Sequence, residues 1–193
     1  MKKFLHESWL VVLMGGAFAA LLATTQSATI DRIRENERQD LDTAIAEVVP
    51  DLGAGRPPEK LRVAEHDVYR CRDARGMLVG WVVDASGVGF IDKIRLVVGL
   101  SPDGRTITGV KVIGHLETPG LGNKIETKGD EHFYPLQYAG KSTQRAMELV
   151  KRPAGEPHEI QAITGATYSS QYVMDIVNAV IARVVPELPA EKG

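Results

Sequence analysis

The apolar residues at the start of the chain form one long run that contains no charge. This run extends from Ser8 to Ile30 and comprises 23 residues. As an α-helix rising about 1.5 Å per residue, it would reach roughly 34 Å, more than the roughly 30 Å hydrocarbon core of a bilayer. The pattern therefore predicts a transmembrane anchor within residues 1–30.

A cleaved secretory signal and a buried core helix are the two alternatives for this run. Lys2 and Lys3 resemble the basic start of a signal, but Gln26 stands where cleavage after Ala28 requires a small residue. Basic residues flank the run on both sides, so the positive-inside rule does not orient it. The signal-like layout favours an N-terminus in the cytoplasm and a domain on the extracytoplasmic (periplasmic) side of the inner (plasma) membrane.

The segment after the anchor combines a helical pattern with a flexible end. Apolar residues recur near helical spacing among many charges in 31–49, and Pro50 ends the pattern. Residues 51–60 are rich in glycine and proline, which predicts a hinge. We expect a tail and anchor in 1–30, a helical stalk and hinge in 31–60, and a folded domain in 61–193.

Short apolar runs separated by turn residues predict β-strands beyond the hinge. Ser101–Gly104 has proline second and glycine last, as a β-turn prefers, and should join two strands as a hairpin. The predicted strands cover 77–83, 90–100 and 106–116, with a turn at Gly87–Gly89. A second pair is expected in 146–151 and 158–163.

A different spacing predicts a helix near the C-terminus. Apolar residues three and four positions apart form one stripe there: Tyr172, Val173, Ile176, Val177, Val180, Ile181 and Val184. Ser169 or Ser170 is expected to cap the start of this helix, and Pro186 to close it. Strands followed by a helix predict an α+β fold class, with a single N-terminal transmembrane helix and one mixed α+β domain.

Composition excludes several classes of function. The net charge of -2 and the absence of a basic patch argue against nucleic acid as a partner. Cys71 is the only cysteine, and the five histidines show no ligand spacing, so no disulfide and no metal site are predicted. The chain has no recognisable pair of nucleophile and base, so we assign no catalytic residues.

Two short motifs are candidates for chemistry. In Ile163–Ser170, four serine and threonine hydroxyls surround Gly165, although a helix start needs only one hydroxyl as a cap. In Gly114–Asn123, Pro119 restricts the backbone while Gly120 and Gly122 allow a tight turn close to a flat ligand. On loop physics alone a polar surface turn is the better interpretation of this second motif, although its position at the end of a predicted strand favours a functional loop.

These motifs carry a resemblance to a known family. The order of an N-terminal anchor, ETPGLG at 117–122 and TGAT at 164–167 resembles the G subunit of the Rnf complex, the ion-translocating ferredoxin:NAD oxidoreductase. It is also similar to the C subunit of the sodium-translocating NADH:quinone reductase. The resemblance covers most of the chain and is strongest in the two motifs.

The resemblance implies a cofactor and its attachment site. In this family the last threonine of the TGAT-type motif carries FMN through a phosphoester, which implies Thr167 here. Gly165 and Ala166 would keep the turn accessible to a flavin transferase, and Thr164 with nearby helix amides would hold the phosphate. Gln161 departs from the pattern, because the family signal usually has aspartate three residues before the first hydroxyl residue.

The resemblance also implies roles for the ETPGLG loop and for partners. Leu121 would shield the flavin, while Glu117 would lie near a ring edge or fix the loop. Thr118, Gly120 and Gly122 would complete the contact. The chain would carry electrons among the other membrane and peripheral subunits of the Rnf complex. The alternatives are the C-type subunit of the quinone reductase and a membrane-anchored flavin-binding sensor or assembly protein.

Overall fold

The computed structural model describes residues 2–52, 57–126 and 134–189, with side chains from Ser8 onward. The chain divides into two compact units, Met1–Asp40 and Leu41–Gly193. Helix α1 spans Lys2–Val48, so its last residues, from Leu41 onward, belong to the second unit. The anchor and the stalk helix expected from the sequence are therefore one continuous helix. Within Ser8–Val48 a stretch of this helix is long and apolar enough to cross a membrane, and none of that stretch is buried.

A five-stranded antiparallel sheet forms the centre of the second unit, with the strands in sequence order. Its strands are β1 (Glu59–Val63), β2 (His66–Arg72), β3 (Leu78–Val88), β4 (Lys93–Leu100) and β5 (Ile107–Gly114). The predicted hairpin of β4 and β5 is confirmed, and Gly104, with φ of +68°, closes its turn by donating to the carbonyl of Ser101. Together with the C-terminal helix α2 (Thr167–Arg183) this sheet confirms the α+β fold class.

The strand predictions need two corrections. Gly87 and Val88 are the last residues of β3 rather than a turn, and they pair with Ile94 and Lys93 of β4. Strands β1 and β2 were absent from the prediction because charged residues alternate along them and their apolar content is low. Part of the predicted hinge, residues 53–56, lies outside the described residues.

One face of the sheet packs against the end of α1. Gly99 and Gly109 leave room for this approach, since a methyl group on Gly99 would lie 2.6 Å from the carbonyl oxygen of Val48. Thr108 donates its hydroxyl to that same oxygen at 2.6 Å and so satisfies an end carbonyl of the helix. Cys71 is fully buried in this layer, where desolvation raises the pKa of its thiol to about 12. The thiol is therefore protonated and unreactive at neutral pH.

The opposite face carries the main core under helix α2, which spans Thr167–Arg183. The apolar stripe expected for this helix is confirmed. The helix ends three residues before Pro186, which lies in the 3-10 helix Val185–Glu187 that follows. Further 3-10 helices at Gly122–Ile125 and Tyr134–Tyr138 pack on the same side. Strands β6 (Glu148–Val150) and β7 (Glu159–Gln161) form the expected second pair, which is parallel.

Candidate functional site

The two motifs singled out in the sequence lie beside each other in the fold. Between them is a small, partly open cavity of about 100 Å³. Its lining consists of residues from the turn after β3, the ETPGLG loop and the start of α2: Phe90, Glu117, Thr118, Leu121, Gly122, Gly165, Ala166, Thr167, Tyr168 and Ser169. Of the nine residues proposed for the site, seven line this cavity, while Gly120 and Thr164 do not.

The ETPGLG loop owes its shape to backbone hydrogen bonds and one glycine. The carbonyl of Thr118 accepts from the N–H groups of Leu121 at 3.1 Å and Asn123 at 3.3 Å. Gly120 has φ of +77°, a conformation that disfavours any side chain, and its N–H donates to Oδ1 of Asn123 at 2.8 Å. The loop then enters a 3-10 helix that Ile125 anchors in the core. The loop is thus pre-formed and presents Leu121 to solvent.

Glu117 joins three segments of the site. Its side chain is only 4% exposed, and one carboxylate oxygen accepts from the N–H groups of Phe90 at 2.8 Å and Ile91 at 3.2 Å. The other oxygen accepts from the hydroxyl of Ser169 at 2.6 Å. Of the two roles left open for Glu117 by the sequence, these contacts support fixing the loop.

Two glycines pack closely against this carboxylate. A methyl group built on Gly89 would lie 2.7 Å from Oε1 of Glu117, and one on Gly122 would lie 2.5 Å from Oε2. The Gly122 methyl would also meet Oγ of Ser169 at 2.6 Å. Any larger residue would have to displace the hydrogen-bonded groups. Gly122 is therefore required because a side chain would not fit there, whereas Gly120 is required for its backbone conformation.

The start of α2 differs from the prediction. The helix begins at Thr167, its N-cap position is Ala166, and no side chain caps it, so the expected cap at Ser169 or Ser170 is wrong. Ser170 is bound elsewhere, donating to the carbonyl of Ala166 at 2.9 Å and accepting from the N–H of Ile163 at 3.2 Å. The first amides of the helix consequently lack a capping oxygen, and such amides favour an anion.

The surplus of hydroxyls can now be resolved residue by residue. Ser169 and Ser170 are buried and hydrogen-bonded, which makes them structural. Among the described residues, the hydroxyls of Thr164 and Thr167 form no hydrogen bond. Thr164 is exposed outside the cavity, whereas Thr167 is half-buried in its lining.

Two aromatic residues that the sequence interpretation missed complete the rim. Phe90 and Tyr168 stack with ring centroids 5.6 Å apart and an angle of 21° between the rings, although both are more than half exposed. Leu121 is also about half exposed. Exposed apolar side chains clustered at a cavity are unusual for a surface that faces only water, and they indicate a binding region. An aromatic residue directly after the Gly87–Gly89 segment was the available signal for Phe90.

A buried tyrosine pair is hydrogen-bonded to the first turn of α2. The hydroxyl of Tyr134 lies 2.9 Å from that of Tyr138, and it donates to the carbonyl of Ser170. Burial raises the pKa of both tyrosines far above neutral pH, so both phenols stay protonated and uncharged. This contact fixes the helix start without adding charge to the cavity.

Comparison with known proteins defines the class of this domain. The family model described as FMN-binding domain matches residues 89–182, which contain both motifs. The fold resembles the crystal structure of NqrC from Shewanella oneidensis, with a TM-score of 0.66 and 21% identity over 76% of this chain and 93% of that chain. The chain therefore contains an FMN-binding domain, preceded by an apolar N-terminal helix.

Whole-chain relatives narrow the class to one family. The G subunit of the ion-translocating oxidoreductase complex of Methanosarcina acetivorans is 32% identical over 177 residues, which is 89% of each chain. The G subunit of the Na(+)-translocating ferredoxin:NAD(+) oxidoreductase complex of Acetobacterium woodii is 31% identical over 91% of this chain and 89% of its own. This chain belongs to the family formed by the G subunits of ion-translocating oxidoreductase complexes.

Proposed function

We propose that this chain is the electron-carrying flavoprotein subunit of an Rnf-type ion-translocating oxidoreductase complex, with FMN attached to Thr167 through a phosphoester. The observation that carries the proposal is the hydroxyl of Thr167. This hydroxyl lines the cavity at the first residue of α2 and forms no hydrogen bond with the described residues, whereas the hydroxyl of Ser169 is bound to Glu117. Thr118 also lines the cavity, but it belongs to the ETPGLG loop rather than to the helix start.

The groups around the cavity fit both ends of FMN. The uncapped start of α2 offers backbone amides to a phosphate beside Thr167. The apolar surfaces of Phe90, Tyr168 and Leu121 suit a flat aromatic ring. When bound, FMN supplies transfer of one or two electrons, and the protein supplies its orientation and electrostatic surroundings. The loop held by Glu117 provides a fixed wall for that purpose.

Attachment requires an activated donor, because joining a hydroxyl to a free phosphate would require the loss of water. We assign a flavin dinucleotide as the substrate of the flavin transferase. The hydroxyl oxygen of Thr167 forms a bond to the phosphorus on the flavin side. The bond between that phosphorus and the oxygen bridging the two phosphates breaks. The other mononucleotide leaves with the bridging oxygen, and the threonine proton passes to a base of the transferase. The chain gains FMN less one water.

The relatives favour the Rnf-type assignment over the quinone reductase. The C subunit of the Na(+)-translocating NADH-quinone reductase of Yersinia pestis is 28% identical over 78% of this chain, but the match spans only 56% of that protein. The match to the G subunit of Methanosarcina acetivorans spans 89% of both chains. Partners of this chain are then the other membrane and peripheral subunits of the complex. Genes for either set of subunits beside this one would distinguish the two assignments.

The site of attachment is tested by two matched valine variants. We expect Thr167→Val to lose covalent flavin when co-expressed with a flavin transferase, because valine removes the hydroxyl and nearly keeps the shape. Thr164→Val removes the other free hydroxyl of the turn and should keep full attachment. Intact mass and flavin colour after denaturation measure both. Covalent flavin retained in Thr167→Val would place attachment elsewhere.

The departure at Gln161 provides a separate test of transferase recognition. Its backbone is held by the side chain of Gln137, whose oxygen accepts from the Gln161 N–H at 2.7 Å and whose amide donates to its carbonyl at 3.1 Å. Gln161→Asp leaves these backbone bonds in place and restores the usual family residue. We expect faster flavin attachment at Thr167 in this variant. An unchanged rate of flavin attachment would mean that the transferase does not recognise the residue at position 161.

We propose that the domain lies on the extracytoplasmic side of the plasma membrane, where a tethered cofactor would not be lost by dissociation. The proposal rests on the apolar segment of α1 and the short basic tail before it. The proposed division into 1–30, 31–60 and 61–193 goes with this topology. Protease added outside spheroplasts should digest the domain, and protection of the domain until the membrane is broken would invert the orientation.

A further inference from the structure

A basic residue lies beside the proposed attachment turn but belongs to the other motif. Lys124 is in the 3-10 helix that follows ETPGLG, and a methyl group built on Gly165 would lie 3.9 Å from its Nζ. Gly165 precedes Thr167 by two residues and has φ of +83°, so it has no side chain that would separate the ammonium from the turn. The fold thus brings this cation next to the hydroxyl motif.

The backbone of Lys124 is held firmly in this place. Ile125, the next residue, is fully buried, and Gly122 packs on Glu117 and Ser169. The Lys124 N–H donates to the carbonyl of Leu121 at 3.2 Å. The side chain is exposed, and its ammonium forms no ion pair or hydrogen bond with any described residue. A cation near the turn that has no partner among the described residues is available to an anion.

The negative charge of Glu117 is the reason why a cation near Thr167 would favour phosphate binding. Glu117, which is buried, lines the same cavity as Thr167. A phosphate brought to Thr167 would therefore approach a like charge in a partly buried place, which is unfavourable. An ammonium on the outer side of the turn offsets this repulsion, and hydrogen bonds between an ammonium and a phosphate are among the stronger ones.

We propose that Lys124 binds the phosphate of the flavin nucleotide at Thr167, and so positions it for attachment and holds it afterwards. This inference rests on the proposed function, since it concerns the same site. Lys124 forms no part of either motif as read from the sequence, and its role is that of a positioning residue. The phosphate would then lie between the amides of α2 on one side and the ammonium on the other.

Two measurements test the role of the ammonium. The first is the initial rate of flavin attachment to purified full-length chain in detergent, with transferase and flavin dinucleotide added. The second is the affinity of the Thr167→Val chain for free FMN and for riboflavin, which differ only by the phosphate. The variants are Lys124→Gln, Lys124→Arg and the control Lys151→Gln, which removes an exposed lysine from the segment after β6.

We expect Lys124→Gln to lose about fivefold in attachment rate and in FMN affinity, as for a partly exposed charged contact, with riboflavin affinity unchanged. Lys124→Arg should restore most of the loss, and Lys151→Gln should match the parent. The effect of Lys124→Gln should also diminish as salt is raised, because salt screens an exposed ion pair.

Equal attachment rates and equal FMN affinities in Lys124→Gln and the parent would overturn the inference about Lys124. The proposed function would still stand in that case, provided that flavin is attached at Thr167. A parent chain that is never modified would instead refute covalent attachment. The comparison of FMN with riboflavin would then still decide the role of Lys124. Failure of the Thr167→Val chain to distinguish FMN from riboflavin, or to bind either, would overturn the inference in that case too.

Discussion

Replacing Glu117 should show how strongly one carboxylate holds the proposed flavin site together. Its oxygens accept three hydrogen bonds, from the N–H groups of Phe90 and Ile91 and from the hydroxyl of Ser169. Glu117→Ala removes all three acceptors at once. Glu117→Gln keeps one oxygen for the two N–H groups, and its amide can donate to Oγ of Ser169, whose proton rotates away.

The expected magnitudes follow from these contacts. A hydrogen bond to a charged group is worth about 1.5–3 kcal/mol, but water can reach the turn at Phe90, so Glu117→Ala should lower the free energy of unfolding by about 3 kcal/mol. Glu117→Gln should cost about 1 kcal/mol. For a domain of this size, each kcal/mol shifts the melting temperature by about 2–4 °C. The alanine variant should thus melt about 6–12 °C below the parent, and the glutamine variant about 2–4 °C below.

Thermal unfolding in detergent, followed by near-ultraviolet circular dichroism, measures the melting temperatures. Hydrogen exchange then locates the effect, because the amides of Phe90 and Ile91 should lose protection in Glu117→Ala and keep it in Glu117→Gln. Glu156→Ala is the matched control, since Glu156 is exposed and its carboxylate forms no hydrogen bond with the described residues. It should melt like the parent.

Two results would refute this reasoning. If Glu117→Ala melts within about 1 °C of the parent while the Phe90 and Ile91 amides stay protected, the carboxylate does not hold the turn. If the glutamine and alanine variants are destabilised equally, the charge of Glu117 matters rather than its pattern of hydrogen bonds.

The remaining predictions concern packing, pH and the cofactor. Gly122→Ala should cost about 1–3 kcal/mol in unfolding experiments, because its methyl would lie 2.5 Å from the Glu117 carboxylate, whereas Gly120→Ala meets no atom within 4 Å and should cost about 1 kcal/mol for its positive φ. Hydrogen bonding, above all with Arg152, lowers the pKa of Glu159 from 4.5 to about 2, so its contribution to stability is complete above pH 4.5 and is lost as the pH falls towards 2. The melting temperatures of the parent and Glu159→Gln should therefore converge over that range, and a constant difference would contradict it. Leu121→Ala should shift the flavin potential in a spectroelectrochemical titration, because it opens the ring to water; an unchanged potential would make the loop a surface turn.

Several features followed directly from local sequence patterns. The uncharged run from Ser8 to Ile30 predicts a long apolar helix because length and hydropathy are properties of one contiguous segment. The apolar stripe of α2 and the Ser101–Gly104 turn were predicted for the same reason, since each depends on spacing within a few residues. The two candidate motifs could likewise be recognised, because each is a continuous stretch.

Other features depended on partners far away in the sequence. Ser169 and Ser170 satisfy every local rule for a helix cap, yet one is bound by Glu117, 52 residues away, and the other lies a turn inside the helix. The hydroxyl of Ser169 gains its partner only once the ETPGLG loop packs against the helix start, whereas that of Ser170 bonds to Ala166 and Ile163 nearby in the chain. Sequence spacing contains no information about such contacts.

The sequence by itself determined the apolar N-terminal helix, the α+β class and the two motifs, because periodicity and turn chemistry act within one segment. Only the tertiary structure decided which hydroxyls of the Ile163–Ser170 motif are bound, that Glu117 ties three segments together and that Lys124 lies beside Gly165. It also paired Phe90 with Tyr168 across the cavity. These arrangements require separate segments to pack at van der Waals distance, and the free energy that selects them comes from burial and hydrogen bonding between segments rather than within them.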